Sequence, residues 1–161
     1  MEIKQANWIT PSVDIGDVCP VFQRIFQVKK PIEKVDLQIT ALGVYEAELN
    51  RKRISDFVLA PGWTSYAHRL QVQHYDVTAL LQEDNDLRVT VGRGWFRSPM
   101  PGWFDDEDKK RRYEQPCGLI AQLKLRYADG SEEKIISDEA WQFGKSPVRF
   151  SEIYDGETYD A

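Results

Sequence analysis

The side chains best suited to chemistry lie in one irregular segment of the sequence, from Gly94 to Gln115. Its candidate sugar-binding residues are Trp95, Trp103, Asp105, Asp106 and Tyr113. A sugar offers an apolar face for stacking and hydroxyls for polar partners, so aromatic side chains beside carboxylates are typical of carbohydrate sites. Loops longer than about a dozen residues are uncommon in compact domains and are often functional. This segment is therefore the first candidate for a carbohydrate-binding site.

The acidic part of the same segment suggests a second chemistry, the binding of a hard cation. Asp105, Asp106 and Asp108 follow one another closely, and carboxylate oxygens are the ligands that calcium prefers. Calcium is the candidate ion, and no other cofactor is expected. The run lacks the alternating carboxylates and the glycine of an EF-hand loop, and basic residues 109–112 follow it directly. A solvated loop face is therefore the competing interpretation.

The tryptophans also have a structural interpretation. Large aromatic side chains dominate the energetics of protein cores, so Trp63, Trp95 and Trp141 are expected to pack in the core or at strand ends. Trp103, which follows Gly102 and precedes the acidic run, is the aromatic residue expected at the surface.

Catalytic motifs are weak throughout the sequence. The sequence has no G-x-S-x-G nucleophile motif for which His68 or His74 could act as the base. The Gly92-Arg93-Gly94 triplet is not part of a nucleotide-binding motif. Glycoside hydrolysis needs two carboxylates on opposite sides of the scissile bond, and among 26 acidic residues the presence of a pair decides nothing. Cys19 and Cys117 are expected to be buried free thiols rather than a disulfide or part of a zinc site. Catalysis by this chain alone is not expected.

Short alternating strands must position these side chains. Residues 34–41 alternate strictly, which predicts that the odd-numbered residues face a core while Lys34, Asp36, Gln38 and Thr40 face water. Further strands are predicted over residues 21–28, 69–77, 87–91, 119–127, 132–136 and 137–144, with one helical turn at 78–81 and a type I′ turn at Asp129-Gly130. Residues 1–20 and 145–161 show little periodicity and are expected to be an irregular lead-in and tail.

A tight hairpin is predicted in the middle of the chain. Residues 44–49 indicate one strand, Asn50 and Arg51 indicate the turn, and residues 53–59 indicate the return strand. Pro61 and Gly62 end that strand, because proline donates no ladder hydrogen bond and glycine readily takes a positive φ angle. Many short strands without a long helix predict an all-β, antiparallel sandwich that forms a single domain over residues 1–161.

Composition limits the classes of partner. A chain of 161 residues is long enough for one full core and short for two. The net charge of −5 disfavours nucleic acids and anionic membranes, which bind basic surfaces. No signal segment and no stretch of roughly eighteen apolar residues is visible. We therefore expect a soluble protein with no nucleic-acid or membrane partner; the sequence leaves its location open and favours the cytoplasm only slightly.

Several short motifs occur in a characteristic order. They are Leu-Gly-Val-Tyr-Glu at 42–46, Leu-Ala-Pro-Gly-Trp-Thr-Ser-Tyr at 59–66, Tyr-Asp-Val-Thr at 75–78, Gly-Trp-Phe at 94–96, Asp-Gly-Ser at 129–131 and Gly-Glu-Thr-Tyr-Asp-Ala at 156–161. In this order the chain resembles the N-terminal β-sandwich module of bacterial α-L-rhamnosidases, a glycoside hydrolase family. One departure lies in the central turn, where the family usually has Asn-Gly and this chain has Asn50-Arg51.

The resemblance implies a jelly roll of the galactose-binding-like kind and a non-catalytic, carbohydrate-binding role. Some modules of the family bind L-rhamnose through calcium. The parent enzyme is expected to hydrolyse terminal α-L-rhamnose with carboxylates of a separate helical barrel. The expected partners are then a rhamnose-containing glycan and the catalytic domain of the parent chain. Two alternatives stay open: a purely architectural domain packed on that barrel, or the sugar-binding domain of a β-galactosidase- or β-glucuronidase-like enzyme.

Overall fold

The computed structural model describes residue 3, residues 5–99 and residues 115–160. Its strands are β1 (Pro20–Gln27), β2 (Ile32–Leu42), β3 (Val44–Leu49), β4 (Lys52–Arg53), β5 (Gln73–Asp76), β6 (Asp84–Gly92), β7 (Gly118–Tyr127), β8 (Glu132–Ile136), β9 (Gln142–Lys145), β10 (Val148–Glu152) and β11 (Gly156–Tyr159). One short helix, α1 (Gly94–Arg97), follows β6, and a single 3-10 turn lies at Thr78–Leu80. In the described part of the chain, no helix has the length and apolarity needed to cross a bilayer.

Two antiparallel sheets form a sandwich. The first sheet has the strand order β4-β3-β6-β1-β9, and the second has the order β5-β2-β7-β8. A separate two-stranded hairpin, β10-β11, packs beside the end of β6 and α1. Strands that are distant in sequence are neighbours in both sheets, for example β1 with β6 and β2 with β7. The predicted all-β sandwich of the jelly-roll kind is confirmed.

The core lies between the two sheets and takes alternate residues from each. Val35, Leu37 and Ile39 of the second sheet are fully buried, as are Val89 and Val91 of the first. This is the face that the strict alternation of residues 34–41 predicts. Thr40 departs from the prediction because its side chain is only 2% exposed on the opposite face, and its Oγ1 has no hydrogen-bond partner in the described part of the chain.

Gly43 carries the chain from one sheet to the other. β2 ends at Leu42 in the second sheet, and β3 begins at Val44 in the first. Gly43 has φ +133, and a Cβ there would lie 2.2 Å from the carbonyl oxygen of Gly92. Only glycine fits, because both the backbone angle and the close approach exclude a side chain.

The central turn forms as predicted, but the return strand is much shorter. Asn50 and Arg51 both have positive φ and lie between Leu49 and Lys52, which pair across the turn. This is the geometry of a type I′ turn. The return strand β4 ends at Arg53, so the prediction of a strand over residues 53–59 is wrong. The chain leaves the sheet there, and residues 56–59 are all exposed.

Two further predictions are corrected at the C-terminal end. At Asp129-Gly130 only the glycine has positive φ, and its N–H donates to Tyr127 O, so the turn is not type I′. The Asp129 side chain instead accepts hydrogen bonds from the backbone N–H and the hydroxyl of Ser131. Residues 145–161 were expected to be irregular, yet they contain the β10-β11 hairpin. Its pairing has a register shift between Val148 and Phe150, which weakens the alternation that would signal a strand.

The lead-in before β1 is irregular, as predicted. It is attached to the second sheet by an isolated bridge between Ile9 and Leu119 and by a hydrogen bond from Asn7 N–H to Ser137 O. It then passes over the end of the sandwich to reach Pro20. This path places residues 11–20 beside the residues that follow β6.

Candidate functional site

The structure describes only one of the predicted sugar-binding residues. Trp95 lies in α1 and is half-buried. The others, Trp103, Asp105, Asp106 and Tyr113, lie outside the described residues, as does Asp108 of the predicted calcium site. These positions therefore remain predictions.

The other tryptophans divide between the two environments. Trp141 is buried, as expected, and its indole N–H donates to Ile136 O. Trp63 was expected in the core or at a strand end, but it is 50% exposed. The reason is that the chain leaves the sheet after Arg53, so that Trp63 belongs to a long connection rather than to a strand.

The helix α1 forms the corner at which a site can be built. Gly94 has φ +51, and a Cβ there would lie 2.6 Å from Val44 Cγ1, so glycine allows the chain to turn sharply against β3. Phe96 is buried and contacts Tyr66, with ring centroids 5.2 Å apart and an edge-to-face arrangement. This aromatic contact fixes α1 against the long connection.

Arg93 is a buried cation at this corner. Its guanidinium donates to Glu152 of β10 and to Asp17 of the lead-in, and it lies over the ring of Phe150 at 5.4 Å. Burial alone lowers the pKa of Arg93, but the hydrogen bonds and charges of Glu152 and Asp17 outweigh it, so the net pKa is raised. A permanently charged Arg93 thus joins the lead-in, β6 and the hairpin.

The alternating pattern of β6 indicates that the side chain of Arg93 faces inward. Leu87, Val89 and Val91 face the core at intervals of two, and the next position in that series is Arg93. An inward-facing arginine requires buried acceptors. The sequence does not show which carboxylates supply them, because Asp17 and Glu152 are distant in sequence.

A cavity of about 370 Å³ lies next to Arg93, between the lead-in and α1. It is lined by residues 11–20 together with Val91, Arg93, Arg97, Pro116 and Cys117. Arg97 is one of these lining residues, although its Nε–H group is itself buried and has no hydrogen-bond partner in the part of the chain that the structure describes. Asp14 and Asp17 also line the cavity, where Asp14 accepts a hydrogen bond from Gly16 N–H and Asp17 accepts one from Arg93. Sequence analysis missed this cavity because its walls come from segments that only the fold brings together.

Two thiols form part of the cavity wall. Cys19 and Cys117 are both buried and free, as predicted. Burial raises the pKa of Cys19 to about 12, and the nearby Cys117 adds to this shift. The thiolate is the nucleophilic form, so Cys19 is a poor nucleophile near neutral pH.

His68 and His74 are both exposed. Within residues 3, 5–99 and 115–160, no three His, Cys, Asp or Glu side chains form a group that could hold a metal ion. The cavity thus offers guanidinium donors and carboxylate acceptors, a combination suited to binding a polyhydroxylated molecule.

Comparison with known proteins identifies the family. Residues 30–161 match the family model described as the α-L-rhamnosidase N-terminal domain. The chain belongs to this family. An α-L-rhamnosidase from Streptomyces avermitilis is 38% identical over 154 residues, which cover 91% of this chain and 14% of that protein. The match favours this family over the β-galactosidase and β-glucuronidase alternatives.

Solved structures agree with the assignment of this α-L-rhamnosidase N-terminal domain. The native α-L-rhamnosidase from Aspergillus terreus is 37% identical and superposes with a TM-score of 0.86, covering 98% of this chain and 18% of that chain. The Streptomyces avermitilis α-L-rhamnosidase complexed with L-rhamnose is 36% identical with a TM-score of 0.82, covering 89% of this chain and 14% of that chain. The domain spans 14% to 18% of the length of these relatives.

Proposed function

We propose that this N-terminal domain is a non-catalytic carbohydrate-binding module of an α-L-rhamnosidase. The parent enzyme would hydrolyse terminal α-L-rhamnose with residues outside this domain. The observation that carries the proposal is the cavity of about 370 Å³ between the lead-in and α1. Its volume lies within the range of roughly 300 to 1,000 Å³ that is common for small-molecule sites.

The polar groups of the cavity suit a sugar better than an ion. The Arg97 guanidinium supplies donors, and the Asp14 and Asp17 carboxylates supply acceptors. Vicinal hydroxyls both donate and accept, so a sugar can pair with a guanidinium and with carboxylates at the same time. A simple anion would meet the carboxylates as well as the guanidinium, and a simple cation would meet Arg97.

L-rhamnose is the proposed ligand class. The Streptomyces avermitilis relative has been crystallised with L-rhamnose, and we carry that sugar to this domain as part of the proposal. Two described residues that lie on either side of residues 100–114 in the sequence, Arg97 and Pro116, line the cavity. Trp95, Trp103, Asp105, Asp106 and Tyr113 remain proposed sugar contacts, and Asp105, Asp106 and Asp108 remain proposed calcium ligands.

Calorimetric titration of L-rhamnose into the 161-residue chain tests the proposal. We expect saturable heat, and we expect Arg97→Met to weaken the affinity by at least about tenfold, since one charge-assisted hydrogen bond contributes about 1.5 to 3 kcal/mol. Arg88→Met is the matched control because Arg88 is exposed on β6 and pairs with Asp86 away from the cavity. This variant should bind as the unchanged chain does.

Repeating the titration with calcium and with a chelator tests the cation. Heat that requires calcium would support the predicted aspartates as ligands, and equal heat in both buffers would contradict them. A folded chain that gives no heat in either buffer would overturn the carbohydrate-binding role. Heat that survives Arg97→Met would place the sugar elsewhere on the domain.

A further inference from the structure

The long connection between β4 and β5 exposes an unusual amount of apolar surface. Phe57, Val58, Leu59 and Trp63 are 50%, 61%, 47% and 50% exposed. We call these four residues the apolar patch. Three of them are consecutive in sequence. Single apolar residues scattered over a surface need no explanation, but several exposed apolar residues close together do need one.

The backbone of this connection is fixed by hydrogen bonds. Tyr45 N–H donates to Ala60 O at 2.6 Å, and Gly62 N–H donates to Leu59 O at 2.9 Å. Before the patch, Ile54 N–H donates to Ala47 O at 3.0 Å. Ala60 is buried between the exposed residues and anchors them. The patch is thus presented by an attached backbone.

Leu59 is exposed and also adopts an unfavourable backbone conformation. Its φ is +56, in the left-handed region that a non-glycine residue without a polar side chain rarely occupies. Such strain is concentrated at binding and functional sites. Selection for folding alone would favour glycine or asparagine at this position and a polar side chain at Val58.

The patch has the size and the surroundings of part of an interface. Its exposed fractions correspond to roughly 400 Å² of side-chain surface, which is the range of the largest patch on a typical monomer. Charged groups border it, including exposed Asp56 and the Arg53–Glu46 pair at 3.1 Å. An apolar centre with a polar rim is the usual anatomy of a protein–protein interface.

We propose that the apolar patch docks against a neighbouring domain of the parent polypeptide. The chain spans only 14% to 18% of the length of its relatives, and its family is the N-terminal domain, so most of a relative's chain is available as a partner. A tethered domain binds at high effective concentration, and a small apolar contact is then sufficient.

The position of the patch favours this occupant. Ala60 bridges to Tyr45, and Tyr45 pairs with Val91 at the end of β6. A Cβ on the next residue, Gly92, would lie 3.3 Å from Ser151 Oγ of the β10-β11 hairpin. The patch therefore lies toward the same end of the sandwich as the β10-β11 hairpin. A second copy fits less well, because two such patches would bury only about 800 Å², less than a stable dimer needs.

Thiol labelling at Val58 tests this docking. Val58→Cys is prepared in the 161-residue chain and in the full-length parent polypeptide, and each is treated with a water-soluble maleimide. We expect labelling to be at least about tenfold slower in the full-length polypeptide, because a docked surface excludes the reagent. Cys19 and Cys117 are buried in this domain, and the background rate of each protein is measured without the Val58→Cys substitution.

Ile25→Cys is the matched control, since Ile25 is 65% exposed on β1, away from the patch. Its labelling rate should agree within about twofold between the two proteins. Equal rates for Val58→Cys in both proteins, or equal slowing at both positions, would overturn the proposal. The labelling of Val58→Cys could instead slow down as the concentration of the 161-residue chain rises. That result would overturn the proposal and show that a second copy of the chain covers the patch. Sugar binding is measured on the 161-residue chain, so failure of either proposal leaves the other standing.

Discussion

At the scale of single residues, Arg93 determines how three distant segments meet. Its guanidinium joins Asp17 and Glu152, which lie 76 and 59 residues away in sequence. Glu152 is itself buried, with a side chain only 4% exposed, whereas Asp17 remains largely open to solvent. Loss of the Arg93–Glu152 contact would therefore cost the most stability. Without Arg93, the Glu152 carboxylate would stay buried with neither a partner nor water around its charge.

We expect Arg93→Met to destabilise the fold by about 3 to 5 kcal/mol, because it leaves the Glu152 charge buried and unpaired. The double variant Arg93→Met/Glu152→Met should recover most of this loss, since apolar side chains of similar volume often replace a buried ion pair without cost. Urea unfolding monitored by circular dichroism measures both.

The exposed variant Arg88→Met is the control for Arg93→Met and should change the stability by no more than about 1 kcal/mol. A double variant no more stable than Arg93→Met would contradict the explanation. It would show that the arginine itself, rather than the unpaired carboxylate, decides the stability.

At the scale of elements, backbone angles decide where strands begin and end. The Asn50-Arg51 turn requires positive φ at both positions, and asparagine tolerates this better than arginine does. Asn50 gains further support because its side-chain amide donates to Leu80 O and to Asn85 Oδ1. Arg51 has no comparable hydrogen bond in the described part of the chain, so its backbone strain is uncompensated.

We expect Arg51→Gly to stabilise the domain by about 1 kcal/mol, because glycine adopts positive φ without the steric cost that arginine bears. Lys52→Gly is the matched control one residue later, where φ is not positive. It should destabilise by about 0.5 to 1 kcal/mol through the added freedom of the unfolded chain. Urea unfolding midpoints compare the two, and a loss of stability with Arg51→Gly would contradict the role assigned to the turn.

At the scale of the whole molecule, the two sheets share one core. Leu37 in the second sheet and Val89 in the first are fully buried in the same cluster. Among the described residues, the buried apolar side chains of both sheets belong to this one cluster, so neither sheet is expected to persist without the other. This shared core is the physical basis for the prediction that residues 1–161 form one domain.

We expect the 161-residue chain to unfold in one transition, with far-ultraviolet circular dichroism and tryptophan fluorescence changing together. Leu37→Ala, which removes core volume from the second sheet, should lower both midpoints by the same amount and cost about 2 to 5 kcal/mol. Val89→Ala should also shift both signals together. Two separated transitions, or a midpoint that shifts in only one signal, would contradict a shared core.

Local patterns in the sequence determined most of the strands. The alternation of residues 34–41 predicted the buried face of β2, and Asn50 predicted the central turn, because both signals depend only on neighbours along the chain. The ordered motifs pointed to the family, and the family match confirms it. The return strand after the turn was predicted at residues 53–59, but the strand in the structure ends at Arg53. The prediction failed because strand propensity does not show where a strand stops pairing with its neighbour.

Tertiary structure alone decided the candidate sites. The exposure of Phe57 to Leu59 depends on where the chain leaves the sheet, and the β10-β11 hairpin depends on a shifted register that hides its alternation. The cavity beside Arg93 has walls from the lead-in and from α1, more than 70 residues apart. The alternation of apolar and polar residues along a strand indicates which side chains share a face of the sheet. Which distant side chains meet there depends on the packing of the sheets, which is set only when the whole core forms.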